Sequence, residues 1–420
     1  MLLGINNRSA IAAQAEYSVG VEAAYSDNSL LSDTDINDDL QQSLLFGFLL
    51  QEDGARVSAD ITAMVDYRKY RDNTFNDENW YYLNGRVDVT LRPSSLFWVV
   101  EDYYSQVERD TLSPGTPDNL VNTNVFSTGP DIYFRINPLN RLHLENRYTD
   151  YRFDDTPTDS QRKSLLLSWE YTVSSGINLS TNAEYHDAQF KELEDSDFRR
   201  TDIYFRLDGQ QSRTSYQFDL GRSNIDRAVE ENVNGYLTHL IVRNQFRLDS
   251  YFQFDASAQY TDTAQDLLSA NSQTLNPQLN LVGEQISGDV FYDRRVEMIY
   301  HLGSSINSYQ LQLVYRDEDY EILLQDRRTR GARINHTYNY SSRIIFNSFI
   351  QYQTYDNLDV DQLDKLTLAG LAMDYRLSRN YTMRFEYNYN AQESTVVTSD
   401  YKENRILFSV YYGRNPRSYR

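Results

Sequence analysis

A two-residue alternation of side-chain character, sustained from Lys365 to Tyr389, constrains this chain more than any other feature. Thr367, Ala369, Leu371, Met373, Tyr375 and Leu377 share one face; Leu368, Gly370, Ala372, Asp374 and Arg376 share the other. After Ser378, Arg379 and Asn380 the pattern restarts, with Tyr381, Met383, Phe385, Tyr387 and Tyr389 opposed to Thr382, Arg384, Glu386, Asn388 and Asn390. Period two is the mark of strands with unlike faces, and the short polar link makes the pair a hairpin. A soluble β-sandwich array or solenoid would carry the same signal. Recurrence, strand length and the placement of aromatics separate the cases.

The unit recurs along the whole sequence. Val57, Ala59, Ile61, Ala63, Val65 and Tyr67 alternate with Ser58, Asp60, Thr62, Met64, Asp66 and Arg68. Ile203, Phe205 and Leu207 oppose Asp202, Tyr204, Arg206 and Asp208. Short polar links near residues 52, 93, 138, 175, 210, 249, 303, 341 and 379 alternate with longer polar stretches. The longest stretch, 261–285, reads as an external loop, with an inward plug as the alternative. Segment 316–330 reads as a charged loop, 357–364 as an acidic loop, and Gly129-Pro130 as an interruption of a strand. No helical periodicity is seen, and no run approaches the ~18 apolar residues of a transmembrane helix.

The expected fold is all-β: a transmembrane antiparallel barrel of about 20 strands, within a range of 16 to 20, with short periplasmic turns and longer extracellular loops. A closed barrel leaves no open strand edges. The barrel is expected over residues 16–413, with a signal-peptide remnant or disordered N-terminus at 1–15 and a C-terminal tail at 414–420. Ala13-x-Ala15 before Glu16 has the form of a signal cleavage site, although a full apolar segment before it is missing.

Composition narrows the function. The chain has no Cys, which excludes disulfides, thiolate metal sites and thiol nucleophiles. Its 61 acidic residues outnumber 40 Lys and Arg, giving a formal charge of −21 that argues against a nucleic-acid partner. The 35 Tyr suit a surface between water and an apolar phase, because the ring is apolar and its tip polar. The five His include no His-x-x-x-His pair, and neither a Gly-x-Ser-x-Gly elbow nor a phosphate-binding Gly-rich loop is present. No catalytic, cofactor-binding or metal-ligating residue is assigned, and no cofactor is expected.

The inward face is the candidate site. It comprises Asp60, Asp66, Arg68, Arg86, Asp88, Glu145, Arg147, Asp202, Tyr204, Arg206, Asp208, Arg243, Arg247, Asp255, Asp374, Arg376, Arg384 and Glu386, with Glu184 and Asp219 beside them. Facing lipid, a midplane Arg or Lys would cost about 2–4 kcal/mol. Facing a lumen, mixed charges neutralise one another and keep it wet. Two acidic groups, Asp33, Asp35, Asp38 and Asp39, then Asp356, Asp359, Asp361 and Asp364, read as solvated external loops.

The sequence also resembles the β-barrel porins associated with exopolysaccharide and exosortase gene clusters of Gram-negative bacteria. The resemblance is carried by Asp374-Tyr375-Arg376-Leu377-Ser378-Arg379-Asn380 leading into an aromatic strand, and by Tyr401-Lys402-Glu403-Asn404-Arg405-Ile406-Leu407-Phe408-Ser409-Val410. It implies an outer-membrane channel for a hydrophilic solute that assists export of an exopolysaccharide, and it supplies no catalytic residues. The partners implied are the lipid bilayer and lipopolysaccharide, the barrel-assembly machinery, a secreted polysaccharide and a periplasmic export protein. The alternatives are a structural or adhesive barrel with a closed lumen and an outer-membrane enzyme.

Overall fold

In the computed structural model, which describes residues 13–272, 286–396 and 399–414, the alternating segments become 20 strands in one sheet. The first ten are β1 (Gln14–Ser26), β2 (Asp39–Asp53), β3 (Val57–Tyr70), β4 (Glu78–Arg92), β5 (Leu96–Glu108), β6 (Leu120–Arg135), β7 (Asn140–Phe153), β8 (Ser160–Ser174), β9 (Ile177–Phe190) and β10 (Phe198–Gln211). The second ten are β11 (Thr214–Arg227), β12 (Val233–Arg247), β13 (Ser250–Asp262), β14 (Val290–Gly303), β15 (Asn307–Tyr320), β16 (Arg327–Asn339), β17 (Ile344–Asn357), β18 (Gln362–Arg376), β19 (Tyr381–Ser394) and β20 (Tyr401–Tyr412). Consecutive strands pair antiparallel, and β1 also pairs with β20, from Val19↔Tyr412 to Ser26↔Arg405. The sheet closes, so every strand has two neighbours and no edge is left open. A helix, α1 (Thr263–Ser272), follows β13.

Residues 1–12 and 415–420, which hold most of the expected leader and tail, lie outside the described residues. β1 starts at Gln14, two residues before the boundary expected at Glu16.

The outer face is apolar. On β8, Leu165, Leu167, Trp169, Tyr171 and Val173 are all exposed, while Ser160, Arg162 and Ser168 on the opposite face are buried. A water-soluble protein does not leave such stripes uncovered, whereas a bilayer solvates them. Tyrosines mark both rims. At the short-turn end Tyr412 lies 6.0 Å from Tyr17 and 5.4 Å from Tyr381, ring to ring. At the long-loop end the Tyr25 and Tyr67 hydroxyls donate to Asp38 and Asp77, each at 3.1 Å. The phenol thus reaches polar groups while its ring stays at the apolar belt.

Four sequence expectations need correction. Segment 316–330 is mostly strand: β15 runs to Tyr320 and β16 starts at Arg327, which leaves only 321–326 as the link between them. The link between β17 and β18 is only 358–361, and Asp364 is a buried residue of β18. The acids expected in loops are therefore divided: Asp359 and Asp361 are in the link, Asp356 is in β17, and Asp39 opens β2 with its carboxylate on the Asp72 and Thr74 amides. Strand β6 is continuous through Gly129-Pro130, although its ladder to β7 stops between Thr128↔Tyr148 and Asp131↔Glu145. Pro130 has no N–H to give, and a Cβ at Gly129 would lie 1.9 Å from the Asn146 carbonyl oxygen, so only glycine permits that approach. The fourth correction, α1, changes the lumen.

Candidate functional site: the lumen and its inward segment

Inward-facing residues are bound into charge networks along the wall. Arg86, opposite Asp60 in the β3–β4 register, reaches Glu101 at 2.5 Å and Asp88 at 2.9 Å. Buried Asp66 accepts from Arg68 at 2.8 Å; Arg68 also reaches Glu78 at 3.1 Å and lies over the Trp80 ring. Arg147 sits 2.6 Å from Asp131 and 3.8 Å from Glu145. Asp202 is 3.0 Å from Arg200, Tyr204 donates to Glu184 at 2.7 Å, and Arg206 makes two bonds to Asp219 at 2.7 and 2.8 Å. Asp208 accepts from Asn178, Asp255 lies 3.0 Å from His239 Nε2, and Arg243 lies 3.9 Å from the Tyr251 ring centre. Arg384 bridges Asp374 at 2.9 Å and Glu386 at 2.7 Å. Asp60, Arg247 and Arg376 are exposed near the short-turn end. These residues form several separate wall clusters rather than one constellation.

Residues that the sequence reading did not single out occupy the long-loop half. The β11–β12 ladder continues to Ile225↔Val233, and the β13–β14 ladder to Asp262↔Val290, but β12 and β13 part company beyond Thr238↔Ala258. Past that point the end of β13 turns into the lumen. The Tyr260 carbonyl accepts from Arg200 on β10 at 3.0 Å. Asp262 takes both terminal nitrogens of Arg162 on β8, at 2.7 and 2.5 Å, and both side chains are buried. Asp262 Oδ1 also caps α1, accepting from the Ala264 and Gln265 amides at 3.0 and 3.2 Å.

The first turn of α1 then rests on the inner wall. Ala264 and Leu267 join Tyr103, Val125, Tyr151 and Phe153 from β5, β6 and β7 in one buried apolar cluster. Asp266 pairs with Arg316 of β15, which is fully buried and also holds Asp293 at 2.6 Å. Glu318 lies 3.6 Å from Arg316 and 2.8 Å from Arg327, extending this network along the wall. The stretch expected as an external loop, 261–285, therefore enters the barrel over its first residues, 261–267, following the inward end of β13, because it carries the apolar and acidic groups that the inner wall can bury. Residues 273–285 lie outside the described residues.

The remaining sector of the lumen holds a polar cavity of about 1550 Å³. It runs along the inner face of β15–β20 and β1, from Arg379 and Asn380 at the short turns to Asn390 and Arg405 near the long-loop end. Arg333, Asn335, Asn347, Arg384, Glu386 and Asn388 line its middle. Arg333 lies 4.4 Å from the inward Phe349 ring and donates to Gln351 at 2.8 Å. Guanidinium, amide and aromatic groups thus face one water-accessible space. Such a surface can exchange hydrogen bonds with hydrophilic solutes.

The wall of this cavity is also the part of the chain that carries a family likeness. Residues 326–413 match the family described as Putative beta-barrel porin 2. The match spans β16–β20 and contains both stretches that carry the resemblance noted in the sequence. It says nothing of gene clusters or polysaccharides. None of the curated proteins matches the sequence. Among solved structures the barrel is similar to the FrpB iron transporter of Neisseria meningitidis, with 7% identity, TM-score 0.46, and coverage of 94% of this chain and 81% of that one. It is also similar to the ferric enterobactin receptor PfeA of Pseudomonas aeruginosa, with 8% identity, TM-score 0.48, and coverage of 95% and 80%. A third likeness is to the P. aeruginosa protein OccK2, at 9% identity, TM-score 0.40, and coverage of 96% and 98%. The porin match, the closed barrel and its apolar outer belt place the chain in the bacterial outer membrane. It is a porin-like, channel-type barrel whose short turns, by the usual orientation of such barrels, face the periplasm.

Proposed function

We propose that this porin-like barrel conducts a hydrophilic solute across the outer membrane and serves as an export conduit for an exopolysaccharide. The observation that carries the reading is the polar cavity along β15–β20, which on β19 and β20 reaches from the short turns to Asn390 and Arg405. Hydroxyl-rich chains are bound by side-chain amides, guanidinium groups and aromatic faces, and Arg333, Phe349, Asn335 and Asn347 offer these from adjacent strands. The segment at 261–267 narrows the other sector. A periplasmic export protein that engages the short-turn end is the partner this reading implies. Lipopolysaccharide around the outer belt and the barrel-assembly machinery complete the set of partners.

The test is conductance with added polysaccharide. Purified protein in a planar bilayer should pass ions, and oligosaccharides added to the periplasmic side should produce transient current blocks. Arg333→Ala should shorten those blocks. Ion current without any oligosaccharide effect would leave a channel but remove the polysaccharide, whereas absence of current under all conditions would favour a closed structural or adhesive barrel.

A further inference from the structure

Two groups of His and carboxylate side chains among the described residues bring potential metal-ligand atoms together: Asp131, His143 and Glu145, and Glu184, His186 and Asp202. Both lie on the inward face. In the first, the Arg147 guanidinium stands 2.6 Å from Asp131 and 3.8 Å from Glu145, so a fixed cation already takes the place of an ion. The second group also has an arginine beside it, Arg200, the register partner of His186, but it pairs with one carboxylate there, at 3.0 Å, instead of two.

Glu184 and His186 are two apart on β9 and therefore on one face, and Asp202 on β10 is the register partner of Glu184. Each carboxylate has one oxygen held from outside the group. Tyr204 donates to Glu184 Oε1 at 2.7 Å, and Arg200 pairs with Asp202 Oδ2 at 3.0 Å. The other oxygens are the informative ones. Glu184 Oε2 lies 3.4 Å from His186 Nε2, and Asp202 Oδ1 is buried without a hydrogen-bond partner, on a residue only 2% exposed. One ligand atom from each of the three residues falls within 4.8 Å of the others. Ligands about 2.0–2.1 Å from a tetrahedral ion stand about 3.3–3.4 Å apart, which is the Glu184–His186 separation. Phenol and guanidinium partners on the outer oxygens are what orient carboxylate ligands in metal sites.

From this geometry we infer that Glu184, His186 and Asp202 form a binding site for one divalent first-row transition-metal ion on the lumen wall. An imidazole with two carboxylates selects ions such as Zn²⁺, Co²⁺ or Mn²⁺ over Ca²⁺ and Mg²⁺, which take all-oxygen shells. The ion ties β9 to β10 directly below the inward segment, because Arg200, which orients Asp202, also donates to the Tyr260 carbonyl at 3.0 Å. The site does not depend on the transport reading above.

Titration of tag-free protein, refolded in detergent, with Co²⁺ tests the site through the visible absorption of the bound ion. One equivalent should bind, Zn²⁺ should displace it, and millimolar Ca²⁺ or Mg²⁺ should not. His186→Ala and Asp202→Asn should each weaken binding at least tenfold, the smallest loss expected even for an outer partner of a metal ligand. His143→Ala, in the Arg-filled group, should leave it unchanged. Heat-modifiable migration on gels reports whether each variant folds, and His186→Gln replaces His186→Ala if that variant does not. No absorption band, equal displacement by Ca²⁺, or affinity indifferent to both His186 and Asp202 would overturn the assignment.

Discussion

Replacing Asp262 by Ala isolates what holds the inward segment in place. The substitution removes a bidentate pair to Arg162 in which both side chains are at least nine-tenths buried, and it deletes the cap of α1. Breaking a buried ion pair from one side costs about 3–5 kcal/mol, because the other charge stays behind uncompensated. At 1.36 kcal/mol per decade this shifts the docked-to-undocked ratio by roughly 160- to 4,600-fold. Loss of the cap adds about 1 kcal/mol. The barrel wall keeps all its ladders, since the β12–β13 ladder has already ended at Thr238↔Ala258. A single thiol reads the docked fraction, because the natural chain has no Cys. Ala264→Cys puts that thiol at a position now 4% exposed. When opening is fast relative to modification, the labelling rate scales with the undocked population. Asp262→Ala should therefore raise the rate of thiol labelling at position 264 by at least a hundredfold, or to the ceiling set by a fully exposed thiol. Asp262→Asn, which keeps a capping oxygen, should give a smaller increase. An unchanged rate in Asp262→Ala, with the protein still heat-modifiable, would refute the view that this pair latches the segment.

Three further outcomes follow from the two faces of the wall. Phe385 is half exposed, packs on Phe408 at 4.7 Å and faces outward, so Phe385→Arg should cost about 2–4 kcal/mol of folding into lipid vesicles and should impair assembly more than Arg384→Phe. On intact cells, Val229→Cys in the link between β11 and β12 should label readily and Ser175→Cys at a short turn should not; the reverse would invert the topology. Replacing Arg333→Gln and Arg384→Gln together should shift the reversal potential toward cations at low salt, and the shift should shrink near 1 M, where the screening length is about 3 Å.

The architecture was legible in the sequence because a membrane barrel writes the same code in every strand. Alternation in β3, β10, β18 and β19 assigns their faces without reference to neighbours, and the short turns at 93–95, 175–176 and 377–380 punctuate it. The code blurs where both faces are polar. Arg316, Asp317, Glu318 and Asp319 read as loop because the long-loop ends of strands carry charge outside the bilayer and inside the lumen alike. The inward segment was less legible still. Asp262 and Asp266 gain their meaning from Arg162 and Arg316, which lie 100 and 50 residues away in sequence and adjoin them only once the barrel closes. Among the described side chains of α1, Ala264 and Leu267 are the apolar ones in the buried cluster, too few to show a helical period in the sequence. The metal-ligand group escaped for a similar reason: Glu184 and His186 are close in sequence, but Asp202 joins them through strand pairing.

Single-channel conductance of the unmodified protein tests the central claim most directly. A polar cavity that runs along β15–β20 should carry a steady ohmic current in a planar bilayer, and Asn388→Trp, which places a bulky ring in the middle of that cavity, should lower the current while the barrel stays folded. The same current in the wild type and Asn388→Trp would place the conducting path elsewhere. No current from correctly inserted wild-type barrels would contradict the reading of this lumen as a conduit.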